Sequence, residues 1–275
     1  MSRGLLKTGL IAPIAALLFA VFAGALPALA AGPEEEDVWP ILQRDVFNSR
    51  EIVSGTGVVS LEAPDRAEDA ALTPLTVRIP AEHAANATRL TILIDKNPSP
   101  VVAEFTFGPA AGNGERMIST RVRVDAYTDI RAVVETADGK LHMAAKFVKA
   151  AGGCSAPALK DPDAVLAEIG RMQVKSLGEA SSSGMREGLL MIKHPQYSGL
   201  QKNQLTGYWI LAKYITNMEV KRGGETIFTM TGGISISEDP NIRFTYAGAA
   251  DETIEVTAKD TDERVMKGSS VPKGS

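Results

Sequence analysis

Cysteine and histidine are nearly absent from this chain: one and three, respectively, in 275 residues. That excludes a disulfide framework, a Cys-rich zinc site and a C-x-x-C-H haem attachment. Aromatic residues are scarce, at 5%. The 29 basic residues do not outnumber the 33 acidic ones and are scattered, so the basic face of a nucleic-acid binder is missing. No Ser, His and Asp set has a recognisable spacing, and no Gly-rich loop leads from a strand into a helix. His83 lies in an alanine-rich loop and His142 on the outward alternation of a strand, which leaves neither placed for catalysis. No cofactor, no metal site and no catalytic residue is expected. What the chain does have is 44% hydrophobic residues with 25 Gly and 15 Pro, a composition suited to many short elements joined by turns.

The first 30 residues read as an export signal. Arg3 and Lys7 precede an apolar run from Leu10 to Leu26, and Ala28-Leu29-Ala30 supplies small residues at the cleavage positions. A retained anchor is the competing reading, because the run is nearly long enough to span a bilayer. The acidic stretch Glu34-Glu35-Glu36-Asp37 fits a mature N-terminus better. The expectation is a periplasmic protein with no stable membrane insertion after cleavage.

Residues 36–50 should form a short amphipathic helix: Pro40 suits a first turn, and Trp39, Leu42 and Val46 recur at helical spacing. From Leu72 to Lys149 the period changes to two, as in Leu75, Val77 and Ile79, in Thr120, Val122 and Val124, and in Leu141, Met143, Ala145 and Phe147. With 90–94, 101–107 and 130–136 these make six strands. After a Gly-rich break, a helical stretch from Asp161 to Ile169 with Pro162 in its first turn precedes renewed strand patterning. Segments near 172–177, 188–193, 208–221, 225–230, 234–237, 242–247 and 253–259 are expected. The fold class is therefore all-β: two antiparallel β-sandwich domains, with a short N-terminal helix and a short interdomain helix. The domains are placed at 36–154 and 171–266, with a linker at 155–170 and a flexible tail at 267–275. The two halves are expected to behave as one unit.

Cys154 is the informative residue. As a lone thiol it has no internal disulfide partner. A buried, inert thiol is the commoner fate of such a cysteine. Its neighbours suggest otherwise: Gly152 and Gly153 precede it, Ser155, Ala156 and Pro157 follow it, and it lies just past the last strand of the first sandwich. Gly152, Gly153 and Ser155 are read as a flexible arm that offers the thiol to a partner. On that reading a thiol reagent modifies Cys154 about as fast in the native as in the unfolded chain.

Several stretches carry a family resemblance. Asp95-Lys96-Asn97-Pro98-Ser99-Pro100 with Phe105, Phe107 and Pro109, then Ser119-Thr120-Arg121-Val122-Arg123, and then Gly152-Gly153-Cys154 resemble SoxY, the sulfur-carrying subunit of the Sox thiosulfate-oxidation system. Ile192-Lys193-His194-Pro195 with Gly199, and Asp239-Pro240-Asn241-Ile242-Arg243-Phe244, resemble its partner SoxZ. The whole resembles a SoxYZ fusion of the kind associated with quinoprotein (PQQ-dependent) alcohol dehydrogenase systems. The resemblance implies immunoglobulin-like sandwiches and a carrier thiol at Cys154. It also implies a protein that is a covalent substrate of Sox-type sulfur-oxidation enzymes, or of a quinoprotein dehydrogenase system, rather than a catalyst. The alternative is a non-covalent accessory or assembly module for such a dehydrogenase, with the cysteine vestigial. His194-Pro195 is read as setting a loop. In SoxY the Gly-Gly-Cys arm ends the polypeptide. Here it continues through Ser155, so it can enter a partner only as a loop.

Overall fold

Period-two alternation becomes strand wherever one face can be buried, and here two sheets bury each other's apolar faces. The computed structural model describes residues 37–157, 162–249 and 252–271; the export signal expected at 1–30 lies outside them. The chain opens with helix α1 (Trp39–Phe47), then strands β1 (Ile52–Ser54), β2 (Ser60–Glu62) and β3 (Thr73–Ile79), and a single helical turn, α2 (Ala81–Ala84). The first half continues with β4 (Ala87–Ile94), β5 (Val101–Phe107), β6 (Arg116–Val122), β7 (Thr128–Thr136) and β8 (Leu141–Val148). Helix α3 (Pro162–Glu168) leads into β9 (Met172–Leu177), β10 (Met185–Ile192), β11 (Ile215–Arg222), β12 (Glu225–Gly232), β13 (Asn241–Ala247), β14 (Ile254–Asp260) and β15 (Val265–Ser269).

These strands form two sheets, ordered β1-β8-β7-β4-β5-β12-β11-β14-β15 and β2-β3-β6-β13-β10-β9. Each half of the chain supplies strands to both sheets and is a sandwich in itself, so the all-β reading holds. The halves then join edge to edge: β5 pairs with β12 (Phe105 opposite Met230) and β6 with β13 (Ile118 opposite Phe244). Pairing consumes the edges that would otherwise be exposed templates for aggregation. The join is also packed. Phe105 meets Phe228 edge-on at 5.6 Å, and Phe228 meets Phe244 at 5.2 Å, within one apolar core that runs through both halves. Each such aromatic pair contributes about 0.5–1.5 kcal/mol beyond its area burial. From Asp37 onward the chain is one compact unit.

Helix α1 covers the outer face of the larger sheet, with Phe47 against Leu93, Val133 and Leu141. Double-sided burial explains why β4 runs unbroken from Leu90 to Ile94 with no exposed position. Arg131 stacks 4.2 Å from the Trp39 ring and pairs with Asp95 at 2.7 Å.

Three features differ from the sequence expectation. The sandwich is not wholly antiparallel: β1 runs parallel to β8, with Ile52 opposite Leu141, at the edge nearest α1. The tail expected to be loose from 267 is instead β15 as far as Ser269, because Met266 is buried and the strand ladders onto β14. Residues 208–213 and 234–237 are not strands, and β11 begins only at Ile215.

Candidate functional site

Past β6 the chain leaves the sheet but stays buried through Arg123 and Val124. Arg123 donates its backbone N–H to the Ser235 carbonyl (2.8 Å), and Val124 to that of Ala70 (2.8 Å). The segment after β8 folds onto this stretch. Gly152 N–H donates to the Asp125 carbonyl (2.8 Å), Gly153 N–H to that of Val124 (3.0 Å), and Cys154 N–H to Asp125 Oδ1 (3.0 Å). Gly152 needs its glycine for a φ of 75°. At Gly153 the reason is proximity, since a Cβ there would run into the carbonyl oxygens of Ala70 and Val124.

The second half closes over the segment. Ser198 Oγ donates to the Cys154 carbonyl (2.5 Å), and Gln201 Nε2 to that of Ala156 (2.8 Å). Arg123, itself buried, bridges the two halves by donating to the carbonyls of Gly153 (3.2 Å) and Gln196 (3.3 Å). Asn97 braces the floor: its Nδ2 donates to Arg123 O (2.7 Å) and Ser235 Oγ (2.9 Å), and its Oδ1 accepts from Asp125 N–H (2.9 Å). A cleft of about 250 Å³ opens beside this arrangement, lined in part by Asp69, Leu72, Arg123, Pro157, Gln201 and Glu238.

Cys154 has 0% exposure. Burial pushes its thiol up to about 12, with Asp125 acting in the same direction and Arg123 and the Ser235 hydroxyl opposing. The expectation of a flexible arm at Gly152, Gly153 and Ser155 is therefore corrected. Gly152 and Ser155 are exposed, but the segment is tied down at Gly152, Gly153, Cys154 and Ala156, and the thiol faces inward at the seam between the halves. Two glycines read as freedom serve instead a left-handed turn and a close approach.

His194 is buried, as a loop-setting residue should be. Its Nδ1 accepts from Gln196 N–H (3.2 Å) and its Nε2 lies 3.5 Å from Asp260 Oδ2. Burial lowers its pKa, and Asp260 opposes that shift. Gln196 in turn holds Ile215 N–H through Oε1 at 2.7 Å. Arg123, Asp125, Ser198, Gln201 and Ser235 were not singled out by sequence reasoning as parts of the cysteine site. The stretches carrying the resemblance did contain Asn97 and Arg123, which now sit beneath Cys154. Among the described residues no group of three or more His, Cys, Asp or Glu could hold a metal, and no helix is long and apolar enough to cross a membrane.

Comparison with known proteins follows the same division. Residues 43–154 match the family model of the sulfur oxidation protein SoxY, and residues 174–270 that of the sulphur oxidation protein SoxZ. Among solved structures, the sulfur carrier protein SoxY from Chlorobium limicola f thiosulfatophilum is 28% identical. It covers 41% of this chain and 91% of its own, with a TM-score of 0.33. The BSP domain of a biofilm associated protein is 9% identical over 85% of this chain and 32% of its own, with a TM-score of 0.25. No curated protein matches the chain. Both family models describe proteins of sulfur oxidation. With the two matches in sequence over about three quarters of its length, the chain is a SoxYZ fusion: a SoxY domain followed, on the same polypeptide, by a SoxZ domain.

Proposed function

We propose that this chain carries sulfur covalently on Cys154 and presents it to partner enzymes of sulfur oxidation, after export to the periplasm under the signal in residues 1–30. The observation that carries the reading is positional. The only cysteine in the sequence is the last residue of the SoxY match, at the junction with the SoxZ half. Both ends of the segment are anchored, so the thiol travels as a loop. Opening requires release of six hydrogen bonds at roughly 0.5–1.5 kcal/mol each, which puts the open population on the order of 1 in 10² to 1 in 10⁶. A closed resting state leaves the thiol protonated and unreactive until a partner draws it out.

The burial of Cys154 also favours a second reading, an accessory module for a quinoprotein dehydrogenase in which the cysteine is vestigial. A Cys154→Ser chain expressed in place of the natural one separates the two. The carrier reading expects sulfur oxidation by those cells to stop while the protein accumulates normally. Unchanged sulfur oxidation would leave the accessory reading.

A further inference from the structure

The segment that closes over Cys154 continues into an ordered hairpin that the fold does not use. Between Ser198 and Lys213 the chain is pinned by its own hydrogen bonds. Asn203 Oδ1 accepts from Leu205 N–H (2.9 Å) and Thr206 N–H (3.0 Å), Asn203 N–H donates to Tyr208 O (2.9 Å), and Ile210 N–H donates to Gln201 O (2.9 Å). On this frame stand Leu205, 92% exposed, Leu211, 85%, Tyr208, 77%, and Trp209, 62%, with Leu200 less so. At about 150–250 Å² for a large side chain, these five expose on the order of 600 Å² of largely apolar surface. That is the upper end of the largest patch a monomer usually shows, and approaches the ~800 Å² that each side of a standard interface buries. The hairpin carries two charges, Lys213 at its end, which pairs with Asp262, and Lys202, whose ammonium lies 4.7 Å from the Trp209 ring, in a chain of net charge −4. The base of the same hairpin supplies Ser198 and Gln201, whose side chains hold the carbonyls of Cys154 and Ala156.

We propose that the hairpin 198–213 is the docking element for the enzyme that loads or unloads Cys154, and that its engagement releases the thiol. This rests on the carrier reading above. The occupant is a protein whose active-site mouth offers an apolar surface with acidic charge to meet Lys202. An enzyme that must surround Cys154 necessarily lies against the surface beside it, and here that surface is the apolar hairpin. Docking pulls on a rigid hairpin whose base is bonded to the cysteine segment, so recognition and release act through the same residues.

The test replaces Leu205, Tyr208, Trp209 and Leu211 together by Ser in the full chain, alongside Cys154→Ser, and follows sulfur oxidation by cells carrying each. The proposal expects the hairpin variant to keep the parent's thermal midpoint, because these side chains are mostly exposed and none belongs to the apolar core, while sulfur oxidation falls at least tenfold. Unchanged oxidation in the hairpin variant, with Cys154→Ser inactive, would overturn the docking proposal alone; unchanged oxidation with Cys154→Ser would remove the carrier reading beneath it. Two further measurements name the other occupants. Flotation of the parent, but not of the variant, with vesicles of phosphatidylethanolamine and phosphatidylglycerol would assign the hairpin to a bilayer. Sedimentation of the parent as a dimer and the variant as a monomer would assign it to a second copy. Either result would overturn the proposal.

Discussion

A thiol held near a pKa of 12 and packed out of contact with water has two handicaps as a nucleophile, and both are measurable at Cys154. An ordinary cysteine titrates near ~8.5, so its reactivity levels off a little above that pH. In the native chain the modification rate should instead keep rising about tenfold per pH unit from 7 to 10, while the unfolded chain reaches its plateau. The same shift links to stability. Above ~8.5 the unfolded state loses a proton that the folded state retains, so stability contributed by the neutral thiol is intact below that pH and falls by about 1.4 kcal/mol per unit above it, up to the folded pKa. Cys154→Ser should remove that part of the alkaline slope in denaturant titrations between pH 9 and 11; an identical slope in both chains would show that the thiol is not buried in solution. The singularity of this cysteine and its Gly-Gly neighbours were legible in the sequence. Its burial was not, because a glycine required for close approach to Ala70 and Val124 is written the same way as one required for freedom.

Strands with one buried face announced themselves by alternation, and β3, β5, β7, β8 and β9 fall close to where the pattern placed them. β4 begins earlier, at Ala87, and β6 runs Arg116–Val122 where the alternation Thr120–Val124 was expected. The misses have physical causes. β1 and β2 are three residues long, too short for a period to register, and β15 is short and ends in Gly268 and Ser269. The run Tyr208-Trp209-Ile210-Leu211 has strand composition but forms one arm of the exposed hairpin, where apolar character does not serve burial. At the level of the elements, the cysteine segment is held by the hairpin's base. Ser198→Ala removes one hydrogen bond to the Cys154 carbonyl, about 1 kcal/mol, and should raise the native rate of Cys154 modification roughly fivefold. Gln201→Ala should act similarly through Ala156. Rates equal to the parent's in both variants would mean that the loop opens without disturbing these contacts.

Across the whole molecule, two sandwiches that share both sheets and an aromatic seam should unfold together. That the two halves form one unit was expected from the family resemblance, but nothing in the alternation of single strands reveals that β5 will find β12 or β6 will find β13. Removal of the central ring in Phe228→Ala should cost about 3–5 kcal/mol and lower the stability of both halves equally. In a Trp209→Phe background, Trp39 fluorescence reports the first half, and amide exchange in β14 reports the second. Coincident denaturant midpoints are expected in parent and mutant; separated midpoints would divide the fusion into independent domains. The function proposed for this assembly comes down to what is attached to one sulfur atom. Intact-mass measurement of the protein purified from its own cells without reductant reads this directly. A mass increase corresponding to one sulfur-containing group, reversed by reductant and missing from the Cys154→Ser chain, is the expected result. The bare polypeptide mass in cells actively oxidising sulfur would contradict the carrier function.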